Sequence, residues 1–243
     1  MSELRALSFG NAAEHYERGR PVWPGEAVDA AGVPSDAHVL DLGAGTGKLT
    51  RLLAERFAHV TAVEPDAAMR ELIQWGDVRE GSAERIPLPD TSVDAVFAAE
   101  AFHWFANEAS LGEIARVLRP AGTLALFWTR SNGDVKPPVP EVDVFLEGMR
   151  ESIPGGWSAN TFFSGEWQRI FDGTPFEELR VAVVPFEHSV DRDEYVSYLL
   201  SQSSIAARSP LERAEIAAKV DRIVAEGTYV LPMRVEVYTT RSR

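Results

Sequence analysis

The 243-residue chain contains no cysteine. Disulfides, thiolate metal sites and cysteine nucleophiles are therefore ruled out. A long apolar run is missing too, and no stretch approaches the length that spans a bilayer. The opening residues, Met1-Ser2-Glu3-Leu4-Arg5, lack the charged-then-apolar pattern of a secretory leader. Both absences predict a cytoplasmic protein with no membrane partner. Basic residues are scarce: 24 Lys and Arg stand against 37 Asp and Glu, a formal net charge of −13. Such a surface stays solvated and repels phosphate backbones, so nucleic acid is not an expected partner. No internal repeat or low-complexity linker interrupts the chain. With 45% hydrophobic residues, it can bury one core over 1–243, as a single domain or one domain with an insertion.

One stretch organises the rest, Val39-Leu40-Asp41-Leu42-Gly43-Ala44-Gly45-Thr46-Gly47-Lys48-Leu49-Thr50. It begins apolar, carries an acid, passes three alternate glycines and turns into a helical pattern at Leu49, Leu52 and Leu53. That order predicts a buried strand, a tight turn and a helix start. Glycine admits positive φ and lets a ligand approach where a Cβ would collide. The unpaired N–H groups of the new helix face whatever lies over the turn. A phosphate-binding P-loop is excluded twice: Gly43 stands one place too near Gly47-Lys48, and Leu49 replaces the hydroxyl residue. A dinucleotide fingerprint needs a small residue at 48, where Lys48 stands, and Asp41 would face pyrophosphate. What remains, Asp41-x-Gly43-x-Gly45-x-Gly47, resembles the first motif of class I S-adenosylmethionine-dependent methyltransferases. That cofactor has no phosphates and carries an ammonium and a sulfonium, so a nearby carboxylate attracts it.

The resemblance extends along most of the chain, strongest over 37–128, toward a small-molecule subgroup similar to trans-aconitate methyltransferase. The run Phe9…Tyr16…Arg20-Pro21…Trp23-Pro24 is similar to that subgroup's N-terminal segment. It implies a cover over the cofactor, with Tyr16 and Arg20 near the methionine carboxylate. Asp41, Gly43, Ala44, Gly45 and Gly47 would shape the methionine side. Glu64 ends the second strand about 20 residues past the turn, where a carboxylate accepts both ribose hydroxyls. NAD proteins share this device, so Glu64 does not choose between cofactors. Pro65 follows, and Met69 either covers an adenine face or belongs to the core. The segment Gly81-Ser82-Ala83-Glu84 through Pro89 matches the family's adenine-wrapping stretch, with backbone groups at Ser82 and Ala83 and Glu84 beside them or structural. After the fourth strand comes Glu100-Ala101-Phe102-His103-Trp104-Phe105, at the strand end where reacting groups sit. Glu100 is grouped with the cofactor residues. Phe102, His103, Trp104, Trp128 and Trp157 would face the methyl acceptor, where aromatic faces attract a sulfonium. His103 either takes the acceptor's proton or caps a backbone carbonyl.

Strands and helices alternate to Trp128, which predicts an α/β sandwich with a mostly parallel sheet. The resemblance implies a Rossmann-like sheet of seven strands with the last antiparallel. Over 130–179 the alternation stops, and prolines and aromatics there predict either a helical cap that binds the acceptor or a helix-rich connection with its own small core. Helices over 191–202 and 210–226 would pack beside it, the first capped by Asp191 and Glu194 in box spacing. Arg119-Pro120-Ala121-Gly122 matches a family turn with Ala121 in place of a glycine. No Asn/Asp-Pro-Pro-Tyr/Phe element suggests DNA amino-methylation, and no carboxylate cluster dictates magnesium or another metal. Without cysteine, a covalent cytosine-C5 mechanism is excluded. The reading is methyl transfer from S-adenosylmethionine to a small molecule, with S-adenosylhomocysteine as product. Subgroup resemblance favours an oxygen acceptor and leaves carbon or nitrogen open. A non-catalytic protein that binds the cofactor or a partner, and an NAD-linked oxidoreductase, are the alternatives.

Overall fold

A computed structural model describes residues 18–131, 138–142, 144–145, 165–202, 205 and 208–243. The chain divides into two compact units. The larger contains Val22–Thr129, Ser158–Val184 and Val235–Arg243; the other contains Met1–Pro21, Arg130–Trp157 and Pro185–Arg234.

The larger unit opens with α1 (Gly25–Asp29) and β1 (His38–Leu42). It continues through α2 (Lys48–Ala54), β2 (His59–Val63), α3 (Ala67–Arg70), β3 (Asp77–Arg79) and β4 (Val93–Ala99). A 3-10 turn (Phe102–Trp104), α4 (Glu108–Val117) and β5 (Leu118–Ser131) follow. β1 and β4 are almost wholly buried, as strands covered on both faces must be. β2 and β4 flank β1 in parallel, with Val39 opposite both Val60 and Ala95. β3 extends β2, and β5 extends β4, also in parallel.

With β6 (Arg180–Asp191) and β7 (Thr228–Arg241), the sheet has seven strands in the order β3-β2-β1-β4-β5-β7-β6. The N–H of Ser242 donates to the Gly122 carbonyl, which sets the end of β7 beside the start of β5. Their directions are therefore opposed, and β7 is the antiparallel strand the resemblance implied. Phe176 and Ser242 form an antiparallel bridge in turn, so β6 again runs with the parallel set.

The Arg119–Gly122 turn is a bulge within β5. Val93 pairs with Leu118 but Ala95 pairs with Thr123, and the residues between are pushed out of the ladder. Ala121 takes φ +61 there, so the alanine that replaces glycine costs roughly 1–2 kcal/mol.

The core of this unit joins Leu40, Leu42 and Val96 from the sheet to Leu111, Ile114 and Val117 on one face of α4. A 3-10 segment, Glu166–Phe171, adds Trp167 and Phe171 to the same core. The expected cap over 130–179 is therefore divided. Trp167, Phe171 and Phe176 pack into the sheet unit, whereas Val142 and Phe145 pack in the other unit, around Tyr195, Leu199 and Val220. Each stretch carries its own apolar face, and each face has its own core.

The smaller unit holds α5 (Arg192–Leu200) and α6 (Pro210–Ile223). Asp191 accepts the Glu194 N–H at 2.8 Å while Glu194 accepts the Asp191 N–H at 2.9 Å, the box read from their spacing. Ser209 and Glu212 form a second box at α6. Among the described residues, no helix is long and apolar enough to cross a membrane.

Candidate active site

The glycine turn links β1 to α2, and its three glycines all have positive φ: +71 at Gly43, +59 at Gly45 and +86 at Gly47. The reasons differ. A Cβ on Gly43 would stand 2.9 Å from the Ala101 Cβ, and one on Gly47 would stand 3.0 Å from Ile73. These two allow close packing beneath the turn. A Cβ on Gly45 would meet nothing within 4 Å, so its glycine faces open space. The N–H groups of Gly43 and Ala44 both donate to the Val63 carbonyl, at 2.9 and 3.1 Å, which fastens the turn to the end of β2.

Glu64 follows β2 and is 6% exposed. One carboxylate oxygen accepts the Gly45 N–H at 2.8 Å, and the other accepts the Asp66 N–H at 2.9 Å. Burial pushes this carboxyl above its ordinary range, while the two backbone donors pull it back. Asp66 in turn caps α3, accepting the Met69 N–H at 3.0 Å. The Arg70 guanidinium holds the Glu64 and Pro65 carbonyls at 2.9 and 3.0 Å. Pro65 is exposed and Met69 is buried.

Asp41 is 1% exposed and accepts the Thr50 hydroxyl at 2.6 Å. Burial raises its pKa from 3.8 to about 7; Thr50 opposes the rise, and the Glu64 charge adds to it. Two buried acids thus flank the turn. Thr50 is absent from the sequence-derived site, although a hydroxyl on the inner face of α2 is the signal that a buried partner awaits it.

Ser82 and Arg85 form a tight antiparallel bridge, and Ala83 is buried against the main core. Glu84 is exposed and accepts from the Asn107 amide at 3.2 Å. That contact ties it to the N-cap residue of α4, which is the structural alternative.

At the carboxyl end of β4, Glu100 has φ +50, a strained conformation for a residue with a Cβ. Its N–H donates to the Phe127 carbonyl at 2.9 Å, and its carboxylate accepts the Thr129 N–H. The side chain supplies the acceptor that β4 stops providing to β5 once it leaves the ladder. Glu100 is thereby fixed by β5, a role its neighbours in sequence did not reveal.

The structure separates the aromatic residues expected to face an acceptor. Phe102 and Trp128 are 0% and 1% exposed. They lie in a ring cluster with Trp167 and Phe171, with centroids 4.8–6.4 Å apart. They form the floor beneath the 3-10 turn rather than a surface a ligand can reach. The physical reason is their place in the chain: Phe102 turns inward from the sheet's end, and Trp128 sits on a central strand. His103 and Trp104 are half-buried, with ring centroids 4.7 Å apart, and are the members of the cluster left at the surface.

In the smaller unit, the Arg20 guanidinium donates to the Ser201 hydroxyl and carbonyl at 2.9 and 3.0 Å. A carbonyl and a hydroxyl therefore engage the fork expected on a carboxylate. Tyr16 and Trp157 lie outside the described residues.

Residues 40–126 match the family model of the methyltransferase domain. An uncharacterized methyltransferase-like protein of Schizosaccharomyces pombe is 34% identical over 230 residues, covering 91% of this chain and 87% of that protein. An uncharacterized methyltransferase of Mycobacterium tuberculosis is 49% identical over 127 residues, 51% of this chain and 52% of the relative. The chain thus spans about half the length of that mycobacterial relative. A malonyl-(acyl-carrier protein) O-methyltransferase of Serratia marcescens is 30% identical over 193 residues, covering 76% of this chain and 68% of that enzyme. A solved structure from Anaeromyxobacter dehalogenans, provisionally named a type II methyltransferase, is similar at a TM-score of 0.67 and 26% identity. That likeness covers 92% of this chain and 97% of the other.

Proposed function

The chain belongs to the class I S-adenosylmethionine-dependent methyltransferases, and we propose that it methylates an oxygen atom of a small molecule, with a carboxylate as the acceptor class. S-adenosylmethionine is the cofactor, and it supplies an electrophilic methyl group on a sulfonium. The residues present suit it. Open space lies over Gly45, a buried carboxylate stands at the end of β2, and Leu49 holds the place after Lys48 where a phosphate loop needs a hydroxyl.

The observation that carries the reading is the bond from the Gly45 N–H to Glu64, which makes the turn and the acid one rigid fitting. In this assignment Glu64 orients the ribose with its remaining lone pairs, and Asp41 offers negative charge toward the methionine ammonium. Pro65 and Met69 border the adenine, with Ser82 and Ala83 opposite. Glu100 fixes the end of β4, and the packed rings of Phe102 and Trp128 exclude water from below. His103 and Trp104 meet the acceptor. A carboxylate brings no proton to remove, so His103 acts as a hydrogen-bond donor that orients it, and positioning supplies most of the rate.

The oxygen assignment draws on the name of the Serratia relative, a malonyl-(acyl-carrier protein) O-methyltransferase. The test is transfer of labelled methyl to a panel of small carboxylic acids, followed by treatment with mild base. A methyl ester releases its label as methanol. Label that stays in product through base, as on nitrogen or carbon, would overturn the carboxylate assignment.

A further inference from the structure

The amino ends of the parallel strands lie opposite the ends that carry the glycine turn. There β1 opens with His38 and β2 opens with His59, directly across from each other in register. Both side chains are exposed, and their ring centroids stand 4.2 Å apart with planes tilted by 37°. They line a cleft of about 580 Å³ together with Phe57, Asp77, Arg79 and Ser92. Neighbouring strands stand about 4.8 Å apart, so paired residues on one face are held at a fixed separation by the sheet itself.

The geometry points to a metal site in which His38 and His59 jointly bind a divalent d-block ion of the Zn²⁺ and Cu²⁺ class. Imidazole nitrogen suits these ions, and the affinity order favours them over the earlier divalent metals. Two nitrogens each about 2.0–2.1 Å from a tetrahedral ion stand roughly 3.4 Å apart. With the ring centroids 4.2 Å apart, side-chain rotation in the open cleft would bring two nitrogens to that separation. Both rings are exposed and line the same cleft, so a single ion there is within reach of each.

Among the described residues, no group of three or more His, Cys, Asp or Glu side chains is placed to hold a metal. In this site water completes the coordination, and the cleft provides room for it. Asp94 is already engaged: one of its oxygens accepts both the His38 backbone N–H at 2.8 Å and the Arg119 guanidinium at 2.6 Å. The site is accordingly an exchangeable one that ties β1 to β2. The net charge of −13 raises the local cation concentration. This site stands apart from the glycine turn, and its assignment does not rest on the methyltransferase reading.

The experiment is calorimetric titration of the full chain, freed of metal by chelation, with Zn²⁺, alongside its thermal midpoint with and without the ion. One Zn²⁺ should bind per chain at micromolar concentration and raise the midpoint, because an ion that binds only the folded state stabilises it. His38→Gln and His59→Gln should each lose the binding and the midpoint rise, while keeping the wild-type thermal midpoint without metal as proof of folding. Copper in place of zinc should show nitrogen couplings from two imidazoles in its electron paramagnetic spectrum. Zinc binding that survives either substitution, or its absence from the wild type, would overturn the site.

Discussion

The backbone N–H of Gly45 donates to the Glu64 carboxylate at 2.8 Å, across a gap of 19 residues. This bond makes the turn and the acid interdependent: the acid needs the donor to ionise while buried, and the turn needs the acid to hold its shape. Gly43 and Gly45 then have opposite sensitivities. Gly43→Ala drives a Cβ to 2.9 Å from Ala101 and should lower the thermal midpoint sharply. Gly45→Ala meets nothing within 4 Å, and should cost only the roughly 1–2 kcal/mol of its left-handed φ. Its Cβ instead enters the space that the proposed assignment gives the cofactor, so affinity for S-adenosylhomocysteine should fall by more than the stability does. Thermal melts and calorimetry on both variants check the contrast.

Asp41 predicts a pH dependence of definite sign. Its folded-state pKa of about 7 lies above its ordinary value of 3.8. The folded chain therefore holds the proton more tightly, and this contribution is complete below that ordinary value and lost as pH rises to about 7. Glu64 is shifted in the same direction and adds to the slope. Denaturant unfolding from about pH 4 to 7 should show wild-type stability falling relative to Asp41→Asn. On the proposed assignment cofactor affinity should run the other way, since the ammonium favours the ionised acid. Titration near neutral pH in buffers of different ionisation enthalpy should register proton release, and Asp41→Asn should abolish it.

Ala121→Gly should stabilise the protein. The residue sits at φ +61 in the β5 bulge, where glycine fits without strain. The gain, less the extra freedom of the unfolded chain, is roughly 0.5–1 kcal/mol by urea unfolding.

Packing and chemistry separate within the aromatic cluster. Trp128→Ala and Phe102→Ala remove fully buried rings and should cost about 3–5 kcal/mol of stability. His103→Gln should leave the melt and cofactor affinity near wild type, yet lower kcat/KM for the acceptor at least tenfold. Equal losses of stability in all three variants would contradict this division.

How much of this was legible in the sequence depended on how local the cause was. The turn from Asp41 to Gly47, the acid at Glu64 and the Asp191–Glu194 box are set by short-range geometry, and each lies where its spacing placed it. The antiparallel β7 came from resemblance rather than from any residue. The inward Phe102 and Trp128, the Asp41–Thr50 bond and the strained Glu100 depend on what packs against them from distant strands. Trp167 and Phe171, far along the chain, close over Phe102, and no local pattern announces that. The division of the 130–179 stretch has the same origin, because two apolar faces look alike until each has found its core.

The most direct measurement is calorimetric titration of the wild type and Glu64→Ala with S-adenosylhomocysteine, with NADH as the control ligand. The account predicts micromolar binding of S-adenosylhomocysteine alone by the wild type. It predicts an affinity lower by one to two powers of ten in Glu64→Ala, about the 1.5–3 kcal/mol of a charged hydrogen bond. Unchanged affinity in Glu64→Ala, or binding of NADH in place of S-adenosylhomocysteine, would contradict it.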